Sequence, residues 1–211
     1  MRERVIAGLA VLALAGCGTD EPVQIVRTDT AYQHVPSGAI FPTQVGRFVR
    51  TNVYPGRAST EGVIVGYAQM TPSGPMLITV TLEASPPVTP QPAVIDPACR
   101  ELFARRKDDI GKSNTAVKWL DERDTRVTLA GQSQPAQLVS FDYDFRDNPM
   151  RGYLFVACNV AGSWTVQYRA TTPRDPNVGQ VIAGFIAALP PTPLHKAEVG
   201  AQAAPPPPPS R

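Results

Sequence analysis

The chain has 211 residues, of which 43% are hydrophobic and 18% charged, enough for one domain with a buried core and short for two. Its formal net charge of +2 excludes a nucleic-acid-binding protein of the basic-patch kind. The two histidines and three cysteines exclude most zinc, haem and iron–sulfur sites and most histidine-based catalysis.

The N-terminal residues have the pattern of a secretory signal peptide. Two arginines precede an apolar run, Val5–Ala15, that is too short to span the hydrocarbon core of a membrane as a helix. The run leads into Leu14-Ala15-Gly16-Cys17, which resembles the lipobox of bacterial lipoproteins, where the signal peptidase cuts before the cysteine. The resemblance implies that residues 1–16 are removed and that Cys17 carries lipid.

Lipidation of Cys17 would make the membrane a partner of this protein. Each buried CH₂ group contributes about 0.8 kcal/mol, so two or three acyl chains hold a protein on a bilayer durably. The resemblance implies a bacterial membrane lipoprotein that faces the periplasm. Gly18 stands where an aspartate retains enteric lipoproteins in the inner membrane, which favours the outer membrane.

The mature chain is predicted to consist of a tether, one domain and a tail. Residues 17–39 are polar and lack sustained periodicity, which is typical of a flexible tether behind a lipid anchor. Residues 40–190 are predicted to form the domain. Residues 191–211 are rich in proline and alanine and include five consecutive prolines, which predicts a disordered tail that favours polyproline II.

Three strands are predicted at the start of the domain, over Arg47–Tyr54, Val63–Met70 and Met76–Ala84. The last two are predicted to form a hairpin, because the proline- and glycine-rich residues 71–75 separate them. Residues 85–97 then hold five prolines, which indicates a surface loop.

A helix is predicted after this loop, since Asp96 can cap it, Pro97 suits its first turn, and apolar residues recur on one face to about Gly111. Further strands are predicted over Ala116–Leu120, Arg126–Ala130, Gln137–Phe145, Tyr153–Val160 and Trp164–Thr171. A final helix is predicted from the helical spacing of Val178, Ile182, Phe185, Ile186 and Leu189.

The order of these elements predicts the α+β class. Runs of adjacent strands imply antiparallel pairing, and Tyr153–Val160 is apolar on both faces, as in a central strand covered on both sides. We therefore expect an antiparallel sheet of about six to seven strands with one helix on each face.

Four features of the chain resemble the PsbP-like family. They are Phe41-Pro42, the opening strand at Gly46-Arg47-Phe48, the pair of strands late in the domain, and residues 164–173 ahead of the final helix. Members of this family are α-β-α sandwiches and include the extrinsic photosystem II subunit and many bacterial periplasmic lipoproteins. Over residues 41–189, the resemblance implies a non-catalytic module used for docking and assembly.

Cys99 and Cys158 are predicted to form a disulfide bond. An exported protein meets an oxidising compartment, and both cysteines lie on inward faces of their predicted elements. The bond would join the first helix to the central strand. A catalytic cysteine is the disfavoured alternative, because no histidine is close to either cysteine in the sequence.

No catalytic residue, metal site or cofactor is predicted elsewhere. The acidic residues Asp142, Asp144 and Asp147 could bind Ca²⁺, but the alternation of a half-solvated strand explains the first two. The charged residues 105–109 are interpreted as a solvated helix surface, and residues 121–124 as a charged turn without a convergent catalytic partner.

The leading functional hypothesis is a lipid-anchored envelope protein whose non-catalytic domain binds another envelope protein or peptidoglycan. One alternative is a periplasmic ligand carrier or a hydrolase, with a cleft formed beside the sheet by residues 85–97. A second alternative is a structural spacer that acts through the proline-rich tail. The net charge gives no support to a nucleic-acid partner.

Overall fold

The computed structural model describes residues 29–56, 62–85, 94–129, 132–161, 163–174 and 178–189. The predicted signal peptide, most of the proline-rich loop and the predicted tail lie outside these ranges. In chain order, the secondary-structure elements are β1 (Tyr32–His34), β2 (Ala39–Phe41), β3 (Gln44–Val45), β4 (Phe48–Pro55), β5 (Val63–Thr71), β6 (Gly74–Ala84), α1 (Pro97–Ser113), β7 (Thr115–Leu129), β8 (Gln132–Phe145), β9 (Asn148–Val160), β10 (Trp164–Pro173) and α2 (Val178–Ala188).

Strands β3 to β10 form one antiparallel sheet in the order β3-β4-β5-β6-β10-β9-β8-β7. The chain builds one half of this sheet from β3 to β6, passes through α1, and begins the other half at the far edge with β7. It then returns strand by strand until β10 pairs with β6. Strands β1 and β2 form a separate two-stranded sheet.

The hairpin predicted between β5 and β6 is confirmed. Thr71 is paired with Gly74, so Pro72 and Ser73 form the two-residue turn. Gly74 has a φ of +123°, a conformation that residues with a Cβ rarely adopt, which explains the glycine at this position.

The predicted helices are found where the capping and periodicity placed them. The side chain of Asp96 accepts a hydrogen bond from the backbone N–H of Ala98 at 2.8 Å, and Pro97 begins α1. Helix α2 buries Val178, Ile182 and Phe185. Local signals therefore determine both helices.

Strand β9 separates two apolar clusters. Leu154, Val156 and Cys158 belong to the cluster that α1 contacts, whereas Phe155 and Ala157 belong to the larger cluster that α2 contacts. Both faces of β9 are buried and both of its edges are paired, so the prediction of a central strand is confirmed.

The predicted fold class, an α+β sandwich of six to seven strands with a helix on each face, is wrong. The fold is mostly β, with an eight-stranded and a two-stranded sheet and two short helices of 17 and 11 residues. These helices cover only part of the large sheet. On β5 and β6, Ile64 and Leu77 remain 42% and 46% exposed.

Strand β7 is the main source of this difference. The sequence predicts two short strands with a turn at residues 121–124, but β7 runs through these residues and pairs Glu122 with Val139 and Asp124 with Gln137. An edge strand that is solvated on both faces needs no alternation of apolar and polar residues. The charged sequence at the centre of β7 is therefore easily mistaken for that of a turn.

The N-terminal boundary of the domain also differs from the prediction. Residues up to 39 are predicted as a tether, but His34 and Ser37 are only 4% and 0% exposed. The buried guanidinium of Arg50 donates hydrogen bonds to the backbone carbonyls of Phe41 and Thr30. Part of the predicted tether is therefore packed against the domain.

Candidate functional site

The structure places the predicted site residues as follows. Cys17, the predicted lipidation site, lies outside the described residues. Cys99 of α1 and Cys158 of β9 are joined by a disulfide bond, with their Cα atoms 5.9 Å apart. A cysteine in a disulfide carries no thiolate, so in this state neither residue is a nucleophile.

Within the described ranges, no helix has both the length and the apolar character needed to cross a membrane.

The charged residues of α1 and β7 pair with one another. Arg100 bonds to Asp124 at 2.6 Å, and Lys107 forms an ion pair with Glu122. These pairs join α1 to β7, so residues 121–124 are the middle of a strand, in which Glu122 and Asp124 face α1. Most of these side chains are exposed, so their ion pairs stabilise the domain only weakly.

Asp142 is held in a largely buried ion pair. Its side chain is 12% exposed and accepts hydrogen bonds from Nε of Arg151 at 2.9 Å and from Nη2 at 3.2 Å. Hydrogen bonding by Arg151 lowers the pKa of Asp142, and this effect outweighs burial, which raises it.

In the part of the chain that the structure describes, no three His, Cys, Asp or Glu side chains are grouped as metal ligands.

One pair of potentially catalytic side chains was not predicted from the sequence. Nδ1 of His34 lies 2.7 Å from Oγ of Ser37, a hydrogen bond that the spacing of three residues makes possible. Both residues are buried, and the Ser37 hydroxyl also accepts from the backbone N–H of Ala39 at 3.2 Å. The pair stabilises the turn between β1 and β2, and its burial keeps it from solvent.

A cleft of about 380 Å³ lies between α2 and the sheet. Strands β8, β9 and β10 supply its apolar floor, which includes Leu138, Phe155 and Tyr168. Burial raises the pKa of Tyr168, so its phenol is neutral at any physiological pH. The floor of the cleft is therefore uncharged.

The sequence of α2 explains why this space is empty of protein atoms. Gly179, Ala183 and Ala187 lie four residues apart, and all three line the cleft. Residues at this spacing share one face of a helix, so the face carries no large side chain. Ile182 and Ile186 flank this face and complete an apolar wall.

Strand β7 forms the polar side of the cleft with two exposed arginines. Arg123 is paired with Asp121. Arg126 donates from Nε to the Ser133 hydroxyl at 2.9 Å and from Nη2 to its carbonyl at 3.1 Å. A guanidinium has five N–H donors, so Arg126 retains donors for an anion at the side of the cleft.

Comparisons with known proteins identify no family. No protein-family model matches the chain, and no curated protein matches it. Among solved structures, the chain is similar to that of the protein of unknown function PA94 from Pseudomonas aeruginosa, with 13% sequence identity and a TM-score of 0.38. The similarity covers 65% of this chain and 95% of that one. So weak a similarity does not indicate a function.

Proposed function

We propose that this chain is a lipid-anchored, non-catalytic binding protein of the bacterial envelope, facing the periplasm from the outer membrane. Its domain binds an elongated apolar ligand with an anionic end. The lipobox Leu14-Ala15-Gly16-Cys17 supports the anchor. The cleft beside α2 is the observation that supports ligand binding.

The walls and the volume of the cleft favour an apolar chain. Small-molecule sites in proteins have volumes of about 300 to 1,000 Å³ and mostly apolar walls with a few polar groups. The cleft is near the lower limit, with about 380 Å³, and suits one narrow chain. Each CH₂ group that leaves water contributes about 0.8 kcal/mol to binding.

Arg126 favours an anionic end on this ligand. In the described residues its side chain is bonded only to Ser133, which carries no charge. A carboxylate beside the guanidinium would form charge-assisted hydrogen bonds, which are about twice as strong as neutral ones. The proposed ligand class is therefore that of single-chain fatty acids.

A fluorescent fatty acid tests this function. The mature chain is titrated with cis-parinaric acid, a single-chain fatty acid whose conjugated double bonds fluoresce more strongly when they move from water into an apolar site. We expect Ala183→Leu, which fills the cleft, to weaken binding at least tenfold. Ala188→Leu is the matched control, because Ala188 is an exposed residue of α2 outside the cleft.

A second pair of measurements tests the anionic end. Arg126→Gln should weaken binding of the fatty acid and leave binding of its methyl ester unchanged. Equal affinity of the wild type and the Ala183→Leu variant, at unchanged melting temperature, would show that the cleft is not the site.

The predicted partners of the domain, an envelope protein or peptidoglycan, remain predictions. Photocrosslinking from exposed positions of the domain in intact cells, followed by mass spectrometry, would identify them. The role of the tail as a spacer is tested by deleting residues 196–211, which should abolish partner capture only if the tail itself makes the contact. The hydrolase alternative gains no support from the buried pair of His34 and Ser37.

A further inference from the structure

A second cavity, of about 760 Å³, lies on the face of the sheet opposite the α2 cleft. Strand β10 contributes to both spaces. Tyr168 and Ala170 line the α2 cleft, whereas Arg169 and Thr171 line the second cavity. Successive side chains of a strand point to opposite faces, so the two spaces are separated by the sheet itself.

The lining of this cavity is positively charged. It includes Arg169 and Arg174 but no aspartate or glutamate. Arg174 is 48% exposed and lies 3.4 Å from the carboxylate of Asp142, so its charge is partly balanced. Among the described residues, no carboxylate forms an ion pair with Arg169, whose guanidinium interacts with the phenol of Tyr143.

Arg169 is also partly withdrawn from water. Burial lowers the pKa of its guanidinium, and the neighbouring Tyr143 only partly opposes this effect. Removing a charge from water without a counter-ion is unfavourable, and buried charges in proteins are normally paired. An anion in the cavity would offset this cost. The hydroxyls of Tyr143 and Thr171 hydrogen-bond to each other, which leaves one of their two protons as a further donor.

The rest of the lining is mostly apolar and open to solvent. Leu77 of β6 and Phe145 of β8 are 46% and 48% exposed, and they lie on opposite sides of β10, the strand that carries Arg169. Leu77 is the nearer of the two, because it is paired with Thr171, two residues from Arg169. Met150 and three prolines extend this apolar lining. A ligand with an apolar body would cover Leu77 while its charged group reached Arg169.

We propose that this cavity binds a small aromatic carboxylate, with the carboxylate on Arg169 and the ring against Leu77. The planar guanidinium offers two parallel N–H donors, a geometry that matches the two oxygens of a carboxylate. The site does not depend on the α2 cleft, because it lies on the other face and uses none of its residues.

The test is a titration of the ¹⁵N-labelled mature chain with benzoate and with 2-naphthoate, followed by NMR. We expect saturable shifts of the backbone amides of residues 74–79 and 169–174, and tighter binding of 2-naphthoate because its ring covers more apolar surface. Benzamide, a neutral molecule of the same shape, should bind at least tenfold more weakly than benzoate. Inorganic phosphate should also bind more weakly, since it has no apolar body.

Arg169→Met separates binding from stability. This variant should bind benzoate at least tenfold more weakly than the wild type. It should also melt at a higher temperature, because the uncompensated charge is gone. Arg105→Met is the matched control, since Arg105 is an exposed residue of α1 that does not line the cavity. It should leave benzoate binding unchanged.

Leu77→Ala provides a second variant that does not disturb the core, because Leu77 is 46% exposed. It should weaken the binding of 2-naphthoate more than that of benzoate. The proposal is overturned if neither carboxylate gives saturable shifts at millimolar concentration, or if benzamide or phosphate binds as tightly as benzoate. It is equally overturned if Arg169→Met folds and retains benzoate affinity, or if Leu77→Ala leaves the affinity for 2-naphthoate unchanged.

Discussion

Phe185 of α2 provides a sharp test of how the final helix is held on the sheet. Its side chain is 3% exposed. Its ring lies 5.0 Å from that of Phe48 and 5.2 Å from that of Tyr67, in edge-to-face arrangements with both. Phe185 therefore connects α2 to β4 and β5, and Phe185→Ala removes this connection.

The magnitude of the effect follows from these contacts. Replacing a buried phenylalanine by alanine costs about 3–5 kcal/mol, and each edge-to-face pair contributes about 0.5–1.5 kcal/mol beyond burial. With two such pairs, we expect a loss in the upper half of that range, about 4–5 kcal/mol. A domain of this size is stable by about 5–15 kcal/mol, so its melting temperature should fall by roughly 10–20 °C.

The assay is thermal and urea denaturation of the mature chain, followed by far-UV circular dichroism. Gln180→Ala is the control, because Gln180 is an exposed residue of the same helix and its replacement should change stability by no more than about 0.5 kcal/mol. A loss below about 1 kcal/mol for Phe185→Ala would refute the packing of α2 on β4 and β5.

Three further predictions concern the disulfide, the buried ion pair and the anchor. Reducing Cys99–Cys158 should lower the free energy of unfolding by about 4 kcal/mol in the chain-entropy model, for a loop of about 60 residues; an unchanged urea midpoint with both thiols alkylated would contradict this. Asp142 has a lowered pKa in the folded state, so its contribution to stability is present above about pH 4 and is lost at lower pH. Asp142→Asn should accordingly weaken the acid dependence of unfolding between pH 5 and pH 2, as measured by urea midpoints. Cys17→Ser should release the protein from the membrane fraction, and mass spectrometry of the wild type should find a lipidated Cys17 at the N-terminus.

Where local signals are strong, the fold could be predicted from the sequence. The segments Arg47–Tyr54, Val63–Met70 and Met76–Ala84 and the turn residues between them predict β4, β5 and β6. The capping residue Asp96, followed by Pro97, predicts the start of α1. The continuous apolar run of β9 predicts a central position, which its two paired neighbours confirm.

The remaining features depend on contacts between distant parts of the chain. Strand β7 can carry many charged residues because it lies at an edge of the sheet. It lies there because β10, and not β7, pairs with β6, which leaves β7 as the last strand of the second half. For the same reason, neither of the two proposed binding sites could be predicted. The α2 cleft combines Arg126 with Ala183, and the opposite cavity combines Leu77 with Arg169, from elements that only the complete sheet brings together.

Strand β7 also bears on how copies of this protein behave together. It is a fifteen-residue edge of the described sheet, and a free strand edge is a template for pairing with a second molecule. Two register shifts, near Thr115 and near Trp119, interrupt its regular geometry, and charges of both signs occupy its centre. Bulges and charged side chains are the devices by which natural sheets resist edge-to-edge aggregation. For a protein that we propose to be confined to a membrane plane, where neighbouring copies meet often, we expect this irregular edge to keep the molecules separate.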